Sequence, residues 1–197
     1  MVLGLRRPLD WFTPDRGRPA AGWLDLTAQQ SSVGGATDAV EDDTDLFGPI
    51  LSSANLGSVR VIQRLLGGRM PGVPRIGLEV VDVRDVADLH VRAMTAPEAA
   101  GERFLGTGEF LWMREVAATL RAGLGEAATR VPTRQRPDFV VRLASLADRS
   151  LRPIMPGLGR RNRHHTEKAR RVLGWRPRPA TEAVVGCARS LIERDLA

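Results

Sequence analysis

The side chains best placed to do chemistry in this sequence gather at one junction. Asp82, Arg84 and Asp85 fall where a β-rich run, Ile76 to Val83, gives way to a helical pattern, and His90 follows one turn further on. A carboxylate at such a junction can accept backbone N–H bonds from the first helical turn, and Asp85 is the expected cap. Arg84 carries a planar fork of donors that can brace a loop or a nearby carboxylate. A structural role is the first reading of this trio, and substrate contact is the second. For His90 the first reading is a packed or hydrogen-bonded ring on the inner side of the helix, and acid–base catalysis is the second.

Other reactive groups have plainer readings. Cys187 is the single cysteine, so no disulfide can form within the chain. It lies in an apolar helical stretch, which suits a buried inert thiol better than a nucleophile. The pattern Gly-x-Gly-x-x-Ala occurs at Gly123 to Ala128. A dinucleotide fingerprint needs a strand before it and a helix after it, so that glycines bring the backbone close to pyrophosphate. Here the glycines follow a helix, and a C-cap with a turn is expected. Arg160, Arg161, Arg163, His164 and His165 form the one dense basic cluster. It reads as a solvated loop, with contact to an anion or a cofactor phosphate as the alternative and a nucleic-acid site as the last. No metal ligand set is recognisable.

Apolar spacing predicts the elements that hold these residues. Leu56, Val59, Ile62, Leu65 and Leu66 recur at helical intervals, and Gly67-Gly68 ends the run. Val86, Leu89, His90, Ala93 and Met94 make one face of the helix after the junction. Arg103 to Gly106 predicts a short strand, and Leu111 to Leu124 a helix closed by Gly125. Pro137 opens a further helix with Phe139, Val140, Leu143 and Leu146 as its apolar face. Thr166 is the expected cap of a helix stopped by Gly174, and Thr181 is the expected cap of a last one containing Val184, Ala188 and Leu191. Short strands alternating with helices predict an α/β fold. The first 45 residues differ. Met1 to Gly22 is rich in Arg, Pro and Gly, and Gln29 to Asp45 is small, polar and finally acidic. Neither stretch can bury much apolar surface, so 1–45 is expected to be irregular or disordered and 46–197 to be folded.

Composition narrows the function classes. The chain has 197 residues, 43% of them hydrophobic and 26% charged, which suits one domain with an appendage. The net charge is +6, and Lys168 is the only lysine among 29 basic residues. The arginines are spread along the chain rather than gathered on one helix face, so they do not point to nucleic acid. No stretch of about 18 apolar residues predicts a membrane span. Met1 to Arg7 is too short for a secretory signal, and the lone cysteine suits a reducing cytoplasm.

Several segments together resemble one family. The string from Val80 to Met94, containing Val-Asp-Val-Arg-Asp-Val-Ala and the later His90 and Ala93-Met94, carries most of the likeness. Phe47-Gly48-Pro49, Gly101 to Phe104, Pro137-Asp138, Thr166 to Ala169 and Leu173 to Pro179 add to it in the same order. From Leu46 onward the chain resembles the C-terminal portion of an extended short-chain dehydrogenase/reductase. That group includes NAD-dependent epimerase/dehydratases and dihydroflavonol-4-reductase-like enzymes.

The resemblance implies a partial Rossmann-like NAD(P)-binding fold, with the last strands of the parallel sheet and a helical C-terminal substrate lobe. It implies that Phe47, Gly48 and Pro49 lie near the cofactor's nicotinamide, and that Asp82, Arg84, Asp85 and His90 belong with the substrate lobe. It implies NAD(P) as the parent family's cofactor and a small carbonyl compound as its substrate. The family's proton donor is a tyrosine assisted by a lysine. This chain contains no tyrosine, and Lys168 stands in the wrong segment for that role. No residue is therefore assigned to catalysis. The expectation is an oxidoreductase-family fragment that is catalytically impaired and does not bind NAD(P) tightly. The rival expectation is a non-catalytic binding or interaction module, self-associating through an exposed sheet face.

Overall fold

The structure is a computed structural model that describes residues 40–41, 45–50 and 57–197. The sequence readings at Leu56, and through most of 1–45, lie outside the described residues. The strands are β1 (Val40–Glu41), β2 (Asp45–Phe47), β3 (Gly77–Asp82), β4 (Phe104–Leu105) and β5 (Glu109–Trp112). The helices are α1 (Val59–Leu66), α2 (Val83–Thr95), α3 (Met113–Leu124), α4 (Asp138–Ala147), α5 (Glu167–Leu173) and α6 (Ala180–Glu193). Short 3₁₀ turns follow α2, α3 and α4.

β3 is the centre of the molecule because both of its faces are covered. Side chains alternate along a strand. Leu78 and Val80 pack with α1, α3 and α6, in a core that includes Ile62, Leu65, Val116, Leu120, Val184 and Leu191. Val81 points the other way, to a second core of Val86, Leu89, Phe104, Leu173 and Trp175. Fully burying one such aliphatic side chain contributes roughly 1.5–3 kcal/mol, so the two cores together hold the sheet between its helices.

The fold is α/β, as the alternation predicts, but the sheet is mixed. β2 runs parallel to β3, with Asp45 opposite Val80, Leu46 opposite Val81 and Phe47 opposite Asp82. β5 runs antiparallel to β3, with Gly77 opposite Trp112 and Val80 opposite Glu109. A separate parallel pair joins β1 to β4, so ordered pairing begins a few residues ahead of Leu46.

Three local expectations need correction. The residue capping α2 is Asp82, not Asp85: its backbone is extended and its carboxylate accepts the Arg84 N–H. The helix begins earlier than the apolar pattern suggests, which places Asp85 inside the first turn. The helix expected from Leu111 begins at Met113, because Glu109–Trp112 is strand. No turn residue separates Trp112 from Met113, so the boundary carries no local signal. Likewise α6 starts at Ala180 after Pro179, so Thr181 lies within the helix rather than capping it.

α4 turns the other way from its expected apolar face. Phe139, Leu143 and Leu146 are 70%, 67% and 75% exposed. Val141 and Ser145 are its buried residues. α4 packs chiefly on the 3₁₀ segment that follows it, so a narrow edge suffices to seat it and the broader stripe faces outward.

Candidate functional site

Phe47 and Gly48 meet Asp82 at the carboxyl ends of β2 and β3, and Pro49 follows them in the chain. Phe47 is paired with Asp82 across the sheet and is buried. Gly48 then turns with φ 118°, a conformation that L side chains rarely adopt. It lies so close to Asp82 that a Cβ there would sit 2.9 Å from Oδ1. Two more bonds stitch this segment down. The Ile50 N–H donates to Ser190 Oγ of α6 at 2.9 Å. The Ser58 hydroxyl donates to the Leu46 carbonyl at 2.5 Å.

Asp82 is fully buried, and both its oxygens are engaged. Oδ1 accepts from the Arg84 N–H at 2.9 Å and from Arg84 Nε at 2.8 Å. Oδ2 accepts from Arg84 Nη2 at 2.7 Å, and Arg178 Nη1 stands 3.8 Å away. Burial works to raise the Asp82 pKa. The hydrogen bonds from Arg84, with the charges of Arg84 and Arg178, outweigh it and hold the group below its ordinary value. Asp85 is answered in the same way. Its Oδ2 accepts the Arg178 N–H at 2.8 Å, and its Oδ1 faces Arg178 Nη2 at 3.0 Å. The buried Trp175 ring donates from Nε1 to the Asp85 carbonyl at 2.7 Å. The sequence thus brings Phe47, Gly48, Pro49, Asp82, Arg84 and Asp85 to one corner, where the carboxylates fasten α2 to the segment between α5 and α6. Arg178, which joins the two carboxylates, lies inside the Leu173 to Pro179 segment quoted for the resemblance, but nothing in the sequence assigns it a role, since its partners are remote in the chain.

His90 is apart from that corner. It is half-buried, and its Nδ1 lies 2.8 Å from the Val86 carbonyl, which can only accept; Nδ1 therefore carries the proton. Cys187 is buried in α6 beside the corner. Burial pushes its thiol up to about 11, the Asp82 charge adds to that, and a backbone bond from Gly48 opposes it. Such a thiol is not a nucleophile near neutral pH. Lys168 pairs with Glu102 on the surface and lies 5.1 Å from the centre of the Phe104 ring.

The basic cluster does something the sequence reading left open. His164 pairs through Nδ1 with Glu79, a buried carboxylate in the middle of β3. Thr107 Oγ1 donates to the same Glu79 oxygen, Oε2, at 2.6 Å. Glu79 and Thr107 were not anticipated. The available signal was a single charge inside an otherwise apolar strand, Leu78-Glu79-Val80-Val81.

The described residues do not form a pyrophosphate cradle. β3 runs straight into α2, and β5 straight into α3, with no glycine turn between strand and helix. Gly125 stands at the C-terminal end of α3 with φ 54°, so the Gly123 to Ala128 pattern is a helix stop followed by a 3₁₀ turn. Among the described residues, no group of His, Cys, Asp and Glu could hold a metal ion, and no helix is long and apolar enough to cross a membrane.

Comparison with known proteins places this geometry. No family model matches the chain. A ketoreductase of Aspergillus niger is 40% identical over 58 residues, which is 29% of this chain and 17% of the ketoreductase. Yeast methylglyoxal/isovaleraldehyde reductase Gre2, solved with NADPH, superposes with a TM-score of 0.60 at 20% identity, over 89% of this chain and 52% of that one. A nucleoside-diphosphate-sugar epimerase from Pseudomonas aeruginosa gives 0.62 at 18% identity, over 80% of this chain and 48% of the epimerase. The chain spans about half the length of these solved reductases and epimerases. In fold, the chain is similar to about half of each of these solved reductases and epimerases.

Proposed function

We propose that this chain is the substrate-lobe portion of an NAD(P)-dependent carbonyl reductase, and that by itself it neither holds NADPH tightly nor turns over a carbonyl substrate. The observation that carries this reading is the superposition on about half of an NADPH-complexed aldehyde reductase. The ketoreductase likeness favours a small aldehyde or ketone over a nucleotide sugar as the substrate class. Two features support impaired chemistry. The chain has no tyrosine to protonate a carbonyl oxygen, and its described residues offer no Gly-rich turn for a dinucleotide. Phe47, Gly48 and Pro49 would border the nicotinamide side of the lobe. Asp82, Arg84 and Asp85 would hold the sheet and lobe in register, and His90 would pack α2.

An NADPH fluorescence titration of the full chain, with turnover followed on a panel of aldehydes, tests this. The expected result is no saturation below about 100 μM cofactor, an affinity weaker than about 5–6 kcal/mol, and no turnover. Micromolar binding with steady reduction of any aldehyde would refute it.

A further inference from the structure

α4 carries an apolar stripe on the side turned away from the protein. Val141 and Ser145 face inward, and Phe139, Leu143 and Leu146 stand exposed. The three recur at intervals of four and three residues, so they line one side of the helix. Arg142 lies on that side as well, one turn from both Phe139 and Leu146. The helix packs chiefly on the 3₁₀ segment Arg149–Gly157 that follows it. It belongs to neither buried core and so sits at the rim of the fold. A row of large apolar side chains in water is unfavourable, and such rows mark surfaces of contact.

The exposed charges of this stretch are all positive. Arg142, Arg149 and Arg152 are exposed, whereas the acids Asp138 and Asp148 are half-buried. Arg75 also holds Asp138 at 2.6 Å. Arg149 and Arg152 stand three residues apart in the 3₁₀ segment, which puts them on one side of it. The three apolar side chains expose about 400 Å², half of what one partner gives to a stable protein interface. A second copy packed stripe to stripe would also bring Arg142 against Arg142. Nucleic acid would answer the arginines and leave Phe139 and Leu143 in water. An anionic bilayer answers both groups. Its headgroup phosphates take the guanidinium ions, and its acyl boundary takes the stripe.

We propose that α4 is a peripheral contact with an anionic lipid surface, with Phe139, Leu143 and Leu146 at the acyl boundary and Arg142, Arg149 and Arg152 on lipid phosphates. The helix lies along the surface and does not span it. Its 10 residues reach about 15 Å, half the thickness of a bilayer core. Few apolar side chains with few arginines make a reversible contact rather than an anchor. The surface uses none of the corner at Asp82, and it stands whether or not the chain contributes to carbonyl reduction.

Co-sedimentation of the full chain with vesicles tests it. The vesicles are pure phosphatidylcholine, or equal parts phosphatidylcholine and phosphatidylglycerol. In about 50 mM salt, the anionic vesicles are expected to bind at least about tenfold more tightly than the neutral ones. Raising the salt to about 500 mM should weaken that binding at least about tenfold. Phe139→Ser with Leu143→Ser keeps the charge and should weaken it at least about tenfold. Arg142→Gln with Arg149→Gln and Arg152→Gln should do the same. Val91→Ser with Met94→Ser, at exposed positions of α2, should bind like the wild type. The proposal is overturned if the chain does not bind anionic vesicles at about 1 mM lipid, or if neutral vesicles bind it equally well. It is equally overturned if Phe139→Ser with Leu143→Ser binds like the wild type, since net charge alone then holds the chain. A dimer in sedimentation velocity that this double variant dissociates would assign the stripe to a second copy and overturn it too. Should the serine variant not fold, Phe139→Ala with Leu143→Ala is read against the same two outcomes.

Discussion

Replacing Asp82 by alanine should cost this protein more stability than any surface change of the same size. Two interactions disappear together. One is the cap on α2, where removing an aspartate acceptor typically costs about 1 kcal/mol. The other is the fork of bonds from Arg84 at 2.8 and 2.7 Å. Hydrogen bonds to charged groups contribute about 1.5–3 kcal/mol. The Arg84 side chain is 48% exposed, however, and regains water when released, so about 1–2 kcal/mol of that is the expected loss. The sum for Asp82→Ala is about 2–3 kcal/mol, and Asp82→Asn, which keeps the shape and one acceptor, should lose about half of it.

Urea unfolding of the full chain at pH 7 measures the difference directly. The pH dependence is an independent check. Asp82 titrates below its ordinary 3.8 in the folded protein. A carboxylate lowered in this way adds stability that is complete above its unfolded pKa and drains away as pH falls through the folded value. The wild type should therefore lose stability more steeply than Asp82→Asn below about pH 4. The reasoning fails if Asp82→Ala unfolds within about 0.5 kcal/mol of the wild type, the range of ordinary surface substitutions. Parallel acid slopes for wild type and Asp82→Asn would sink it as well.

The remaining expectations are simpler. Gly48→Ala puts a side chain at φ 118° and 2.9 Å from the Asp82 carboxylate, and should lower stability by about 1–3 kcal/mol in a thermal melt. Cys187, with its thiol pushed up to about 11, should react with iodoacetamide at pH 8 at least about tenfold more slowly in the native chain than in urea. Leu143→Ser on the outward face of α4 should change stability by no more than about 0.5 kcal/mol. If α4 mediates self-association, the same change should shift the sedimentation profile toward monomer; a wild type that is already monomeric at high concentration removes that role.

Much of the fold was legible because its signals are local. Leu89 and Ala93 lie one turn apart and bury the same side of α2, so spacing alone locates the helix. Gly174 stops α5 in the left-handed region with φ 63°, and the Gly123 to Ala128 stretch ends α3, both for the reason glycines usually end helices. The strand at Phe104–Leu105 was legible for the same kind of reason. The misreadings arise where two local patterns compete. Phe110, Leu111 and Trp112 run into Met113 without a break, and only pairing with β3 makes the first three a strand. α4 carries two possible apolar faces, and its neighbour selects the one with Val141 and Ser145.

Taken alone, the order of residues determined the α/β class, the corner motif from Val80 to Met94 and the lack of a tyrosine acid, because each depends on neighbours in the chain or on composition. It could not determine which carboxylate caps α2, that Arg178 reaches back more than ninety positions to Asp85, or that His164 and Thr107 converge on Glu79. Those pairings join segments remote in sequence. They exist only once β3 is enclosed on both faces, because burial is what makes an unpaired carboxylate costly and so decides which distant donors must meet it.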